Sequence, residues 1–374
     1  MRTARSAVLV RRFENGPPHP GNRVGRLFHG SKMKNARLFL SVSAIVFLLA
    51  VAACGGQAAP LSKTDFVFWT TCTVTLYDHA EQANLDAAFA RMREIHNRLS
   101  VNVPESELDA VSAAAGRTPI HVTDDVFFVI EKALRLSVLS DGLFDPTVGP
   151  LMKVWKMNTG EGRIPAPQDI ARARSLVNWR DVVTDDAAKT IYVKRPGMSL
   201  DAGAVLKGYA ADETVRILAS RGVRSAMIDF GGDIFAMGSK VDGSPWRIGI
   251  QNPDSERGTP FGTVRVVGKS VVTSGVYEHF FIQNGKRYHH IMDTRTGYPV
   301  DNGVVSVTII SSSSLDADGI GLTLFCLGPS RGLALADTLG VDAIMVSTDH
   351  KLYATASAKK MLTITDPGFT YAVP

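Results

Sequence analysis

The spacing of apolar residues changes period along this chain without settling into any repeat, which excludes solenoids and regular βαβ architectures. Residues 66–77 alternate and are rich in β-formers, which predicts a first strand. Leu85, Phe89, Met92, Ile95 and Leu99 then recur at steps of three and four, the stripe of an amphipathic helix, with Asn84 as its expected cap. Further helices are expected from a Thr123 cap to about Ser140, over 165–177, and over 205–220 with Gly222 closing the last. Short β-rich runs at 191–193, 226–230, 247–250, 263–267, 280–282 and 304–310 read as strands, with Asn284-Gly285 as a hairpin turn. Helices at 315–327 and 331–339 and strands at 343–346 and 351–354 close the chain. Helices and strands mixed in this way imply an α+β fold, mixed sheets with packed helices.

The N-terminus fixes the compartment. Residues 38–53 are Leu, Phe, Val, Ile and Ala broken only by Ser41 and Ser43; they follow Lys32, Lys34 and Arg37 and run into Val51-Ala52-Ala53-Cys54. A basic segment, an apolar run short for a membrane span and then small residues form a secretory signal. The small residues before Cys54 resemble a lipobox, in which Cys54 is lipidated and becomes the new N-terminus; an uncleaved anchor is the alternative. Either reading puts the remainder outside the cytoplasm, in the periplasm or at the cell exterior. The arginines at 2, 5, 11, 12, 23 and 26 do not suit a signal peptide, so the start is expected at Met33. This divides the chain into an upstream extension (1–32), a signal (33–53), a tether (54–63) and a working domain (64–374).

Of the 41 Lys and Arg and 36 Asp and Glu, residues 1–53 hold nine bases and one acid, so the basic balance belongs to the leader. The remaining body is slightly acidic and offers no electrostatic case for nucleic acid. Only Cys72 and Cys326 follow Cys54, which is neither a disulfide framework nor a metal motif.

No Walker loop, no Gly-x-Gly-x-x-Gly after a strand and no Ser nucleophile elbow occurs. Instead, Gly- and Asp-bearing loops recur at expected element ends. They are Phe144-Asp145-Pro146-Thr147-Val148-Gly149-Pro150, Asp201-Ala202-Gly203-Ala204-Val205-Leu206-Lys207-Gly208, Asp229-Phe230-Gly231-Gly232-Asp233 and Thr273-Ser274-Gly275-Val276-Tyr277-Glu278. Two more are His289-His290-Ile291-Met292-Asp293-Thr294-Arg295-Thr296-Gly297 and Asp316-Ala317-Asp318. Singly, such glycines are turn residues and such aspartates helix caps. In order and spacing, together with Arg98-Leu99-Ser100-Val101-Asn102 upstream, they resemble the ApbE family of FMN transferases over nearly all of the chain beyond Cys54.

That resemblance implies two intertwined subdomains and an enzyme that moves the FMN half of FAD onto a Thr or Ser hydroxyl of an acceptor protein, releasing AMP. The acceptor implied is a membrane redox-complex subunit, and the chain meets the bilayer through Cys54. Breaking a pyrophosphate in this way is phosphoryl transfer, which needs charge neutralisation and positioning. Mg²⁺ prefers oxygen ligands and is commonly held by one or two carboxylates plus substrate phosphates. By family position Asp318 is the metal carboxylate and catalytic with His290, and Ala204 offers its carbonyl; Asp316 is offset by two. FAD contacts carried over in the same way fall on Phe68, Asn102, Phe144, Asp145, Asp201, Lys207, His290 and Met292. Lys207 suits the phosphates from the first turn of its helix. Asp201 suits adenine or ribose.

Two departures stand out. Trp69-Thr70-Thr71 replaces the family's usual Gly-Thr, and Leu322 replaces the Thr that usually follows the metal aspartate by four residues. Leu322 offers the metal only a carbonyl, and Thr323 is turned about 100° away around the helix. Of the histidines, His289 and His290 are expected on opposite faces of a strand. His79, His96, His121, His279 and His350 show no partner cluster. Two other readings stay open: a Mg²⁺-dependent FAD pyrophosphatase, in which water replaces the acceptor, and a non-enzymatic flavin-binding lipoprotein.

Overall fold

The structure is a computed structural model that describes residues 59–157 and 161–372. The leader and residues 54–58 of the tether, Cys54 among them, lie outside the described residues. Nine strands form the central sheet, in the order Leu61–Val67, Thr70–Leu76, Ala226–Phe230, Asp233–Met237, Lys269–Gly275, Val304–Ser311, Asp342–Ser347, Lys351–Ala354 and Thr370–Tyr371. Neighbours are antiparallel except the last pair.

Adjacent residues on these strands point into different cores, as the two-residue period of a strand requires. Ile309 and Met345 join the larger cluster, with Phe89, Val205 and Phe325 from the helices Gln82–Leu99, Gly203–Ser220 and Ser314–Leu339. Ile310 and Ile344 join the second, with Trp246, Phe261 and Leu362 of a small three-stranded sheet. The two intertwined subdomains thus take the form of two cores sharing one sheet within a single unit, Ala58–Pro374. A third, smaller cluster of Leu151, Trp155, Ile170 and Met292 anchors the segment after His290, with Trp155 Nε1 donating to Gly297 O at 2.9 Å.

Several expectations are corrected. The first strand begins earlier, inside the expected tether, and is a hairpin: Val67 pairs with Thr70 around a two-residue turn at Phe68 and Trp69. Both turn residues have left-handed φ, 54° and 61°. Such turns favour Asn-Gly, so nothing in the local sequence marks this one, and bulky residues there carry a strain of about 1–3 kcal/mol each. Asn84 is not the cap of its helix; that place falls to Glu81, while the Asn84 side chain donates to His79 O at 2.9 Å. The two late helices, by contrast, are there as expected, separated within the span Ser314–Leu339 by a break at Gly328 (φ 76°) before Pro329, and Asn302 Nδ2 satisfies the Phe325 carbonyl near the break at 2.8 Å. This segment is apolar enough to cross a membrane by composition, yet Leu324 and Phe325 are completely buried in the core.

Gly208 sets how closely the two central helices approach. A Cβ there would lie 2.3 Å from Ser314 O and 2.6 Å from Leu315 Cα, both backbone atoms. We expect Gly208→Ala to force the helices apart and cost about 1–3 kcal/mol, measured as a lower Tm; an unchanged Tm would show that the contact is dispensable.

Candidate active site

One cleft of about 1380 Å³ opens along the edge where the sheet, the Gly203–Ser220 helix and the Ser314–Leu339 helix meet. Its lining includes every residue that the sequence assigned to the metal or to FAD. Phe68 and Asn102 line it from the hairpin and the segment after the first helix, and Phe144 and Asp145 from the loop before Pro146. Asp201, Ala204 and Lys207 line it from a helix start, His290 and Met292 from the segment after a strand, and Asp318 and Leu322 from one face of the long helix.

Two strongly perturbed charges, Asp318 and Lys207, stand where those two helices touch. Lys207 Nζ is ion-paired with Asp233, whose Oδ1 also accepts from Thr273 N at 3.3 Å. Asp318, 7% exposed, accepts from Gly208 N–H at 2.7 Å. Ser313 is the cap of that helix, its hydroxyl accepting from Asp316 N at 3.1 Å, so Asp318 is free of capping. Asp316 faces Lys132 at 3.3 Å instead of the cleft. Burial pushes the Asp318 carboxyl up to about 7; the Asp233 carboxylate adds to this and Lys207 opposes it. Burial would lower Lys207, but Asp233 and Asp318 override it and hold its ammonium above the ordinary lysine range.

The other side chains divide by what they already bind. Asp145 is buried with both oxygens engaged: Oδ1 accepts from Thr147 N and Oγ1 at 2.8 and 2.6 Å, and Oδ2 from Trp179 N at 2.9 Å. It holds its loop in shape. Asp201 Oδ1 accepts from Gly203 N at 2.8 Å, while its amide ties the two loops together by donating to Pro146 O at 2.7 Å. His289 is buried and bonds Val300 O at 2.9 Å, whereas His290 faces the cleft, so the opposed pair is as expected. His290 Nδ1 lies 3.3 Å from His279 O. A carbonyl only accepts, so Nδ1 carries the proton and Nε2 is left as an acceptor. Burial, with His279 beside it, pushes His290 down to about 3 and keeps the ring neutral.

Sequence reasoning missed four participants. His279 does have a partner, packing edge-on against His290 at 5.3 Å between centroids and lining the cleft. Asp233 stood in a quoted loop but gains its meaning only from Lys207. Glu278 and Arg257 pair across the cleft wall, and Arg257 Nη1 also donates to Gly231 O at 2.8 Å.

Among the described residues no group of three or more His, Cys, Asp or Glu forms a ready-made metal cage. A hard cation held partly by substrate phosphate needs less than that. Asp318 is a buried carboxyl in the field of a second one, Asp233, whose ion pair takes up the single lysine, so an ionised Asp318 leaves negative charge for a cation to neutralise. By helix geometry the Gly208 amide is also the partner of the Ala204 carbonyl, so Asp318 draws on the donor of the very turn that carries Ala204. Leu322, one turn beyond Asp318, packs partly on the core and presents hydrocarbon to the cleft. Thr323 does not compensate: it is buried and its hydroxyl donates to Gly319 O at 2.9 Å. The residues fit a Mg²⁺ site with one side-chain oxygen fewer than the resemblance implied.

Fold and cleft together define an α+β protein built around one large, charged cleft. Residues 68–345 match the profile of the ApbE family. The chain is 35% identical over 295 residues to the FAD:protein FMN transferase of Klebsiella pneumoniae (strain 342), covering 79% of this chain and 91% of that one. It is 33% identical over 358 residues to the FAD:protein FMN transferase of Treponema pallidum (strain Nichols), covering 90% and 99%. The ApbE protein of Thermotoga maritima superposes with a TM-score of 0.75 at 27% identity, over 81% of this chain and 99% of that one. The chain belongs to the ApbE family.

The raised Asp318 carboxyl has a consequence for stability. A carboxyl whose folded pKa exceeds its unfolded value of about 4 holds its proton better when folded, so stability is lost as pH rises from about 4 towards 7. Asp318→Asn keeps an acceptor for Gly208 but cannot ionise. In EDTA we expect its Tm to exceed the wild type's by a few degrees at pH 8, the gap closing towards pH 4; parallel Tm profiles would contradict this.

Proposed function

We propose that this chain transfers the FMN half of FAD onto a Ser or Thr hydroxyl of an acceptor protein. The observation that carries the reading is Lys207, ion-paired with Asp233 and within the field of Asp318, on the wall of one cleft large enough for a dinucleotide. Lys207 suits the pyrophosphate as a point charge, and Asp233 keeps it charged and oriented. Phe68, Asn102, Phe144, Asp201 and Met292 line the path for the rings and riboses, with Asp145 acting through the loop that it fixes. The acceptor oxygen attacks the FMN phosphorus, the bond from that phosphorus to the bridging oxygen breaks, and AMP departs with the bridging oxygen. His290, neutral with Nε2 open, suits a hydrogen bond from the attacking hydroxyl, and phosphate beside it would raise its basicity enough to take the proton.

Asp318 and the Ala204 carbonyl are the proposed holders of Mg²⁺, with Leu322 offering only its carbonyl. Bound there, Mg²⁺ supplies charge neutralisation at the pyrophosphate. We further propose that Cys54 is lipidated and tethers the domain outside the cytoplasm, where a membrane redox-complex subunit presents the hydroxyl. The relatives named above are FAD:protein FMN transferases, which supports transfer over FAD hydrolysis or flavin storage.

Incubation with FAD, Mg²⁺ and a candidate acceptor, scored by in-gel flavin fluorescence and AMP release, tests the activity. Asp318→Ala should lower both at least a hundred-fold while FAD binding changes little; normal turnover would remove Asp318 from the chemistry. Leu322→Thr should lower the Mg²⁺ concentration for half-maximal transfer several-fold. An unchanged Mg²⁺ dependence with a lower Tm would mean that Leu322 serves only the core. For the tether, wild type should fractionate with membranes and Cys54→Ser should be released or misprocessed; a soluble wild type contradicts the anchor.

A further inference from the structure

The hairpin tip beside the cleft holds a residue that the fold does not explain. Phe68 and Trp69 both occupy left-handed backbone (φ 54° and 61°) at a turn that favours Asn-Gly. Phe68 is compensated: its ring is buried against Phe230 and His96, with centroids 6.0 and 5.4 Å away. Trp69 is not. It is 59% exposed, and its one aromatic neighbour among the described residues is Phe66, edge-on at 6.5 Å and itself 65% exposed. The tip is nonetheless fixed in place, because Thr70 packs so closely on Gly231 that a Cβ there would meet Thr70 Oγ1 at 2.1 Å. The strained turn therefore holds an indole at the cleft wall, in a lining it shares with Asn102 and the Gly231–Gly232 turn.

We propose that Trp69 is a stacking platform for one of the two fused heteroaromatic rings of the dinucleotide, a ring-binding residue that this chain has in place of a glycine turn. The inference rests on the FAD reading above. An exposed indole gains most from a flat ring, because stacking buries apolar area on both partners without requiring a hydrogen-bond match. Its neighbours at the tip, Thr70, Thr71 and Thr73, also line the cleft and offer hydroxyls rather than a competing apolar surface.

Dissociation constants for FAD, FMN and ADP, with Tm of the ligand-free protein, test this on the wild type, Trp69→Gly and Trp69→Phe. Glycine is at ease with the turn geometry, so Trp69→Gly should melt no lower than wild type yet bind FAD about ten-fold more weakly. Trp69→Phe keeps a ring and should stay within about three-fold of wild type. The loss should recur with FMN if the platform takes the isoalloxazine and with ADP if it takes adenine. Wild-type binding of FAD that Trp69→Gly leaves unchanged overturns this inference alone, as does a Trp69→Phe loss equal to that of Trp69→Gly. A Tm drop in Trp69→Gly would assign Trp69 to packing and overturn it as well. A wild type that binds none of the three ligands overturns the transferase reading and this inference with it.

Discussion

The close contact between the helices Gly203–Ser220 and Ser314–Leu339 is the constraint on which the site depends. Gly208 lets the backbones approach, and the approach brings the Asp318 carboxylate onto the Gly208 amide at 2.7 Å. The same turn carries Ala204 and Lys207, so one packing decision places the proposed metal carboxylate, the backbone carbonyl and the phosphate-binding lysine. The sheet supplies the opposing wall: Asp233 begins a central strand and meets Lys207 from the other side.

This arrangement works against stability in the free protein. A carboxyl raised to about 7 and a half-buried lysine tied to Asp233 are groups that water would solvate better. On the proposed reading, bound FAD and Mg²⁺ would relieve this charge pattern, the phosphate answering the lysine and the cation the acids. The hairpin tip follows the same logic with backbone strain in place of charge. In both places the fold holds a group in a state that a ligand completes.

Much of this was legible in the sequence because the signals are local. The stripe of Leu85, Phe89, Met92, Ile95 and Leu99 gave the first helix, and loops rich in Gly and Asp gave residues that all line one cleft. The strands Asp233–Met237 and Lys269–Gly275 were hidden within motif loops. They lie inside the sheet, where consecutive residues such as Val271 and Val272 are buried on opposite faces and no alternation survives. The Phe68-Trp69 turn was illegible because it contains no turn-forming residue. Glu278, Arg257 and His279 were illegible for another reason: their partners lie far off in sequence or across a strand crossing, and only the fold brings them together.

The central claim is that the Gly208 contact creates a combined metal and pyrophosphate site. A crystal structure of the protein with FAD and Mn²⁺ in place of Mg²⁺, read by the anomalous signal of the manganese, addresses it most directly. The account requires a manganese peak within bonding distance of an Asp318 oxygen and the Ala204 carbonyl, with the FAD pyrophosphate between that peak and Lys207. Manganese bound elsewhere, or FAD seated with its pyrophosphate away from Lys207 while Asp318 keeps only its bond to Gly208, would contradict it.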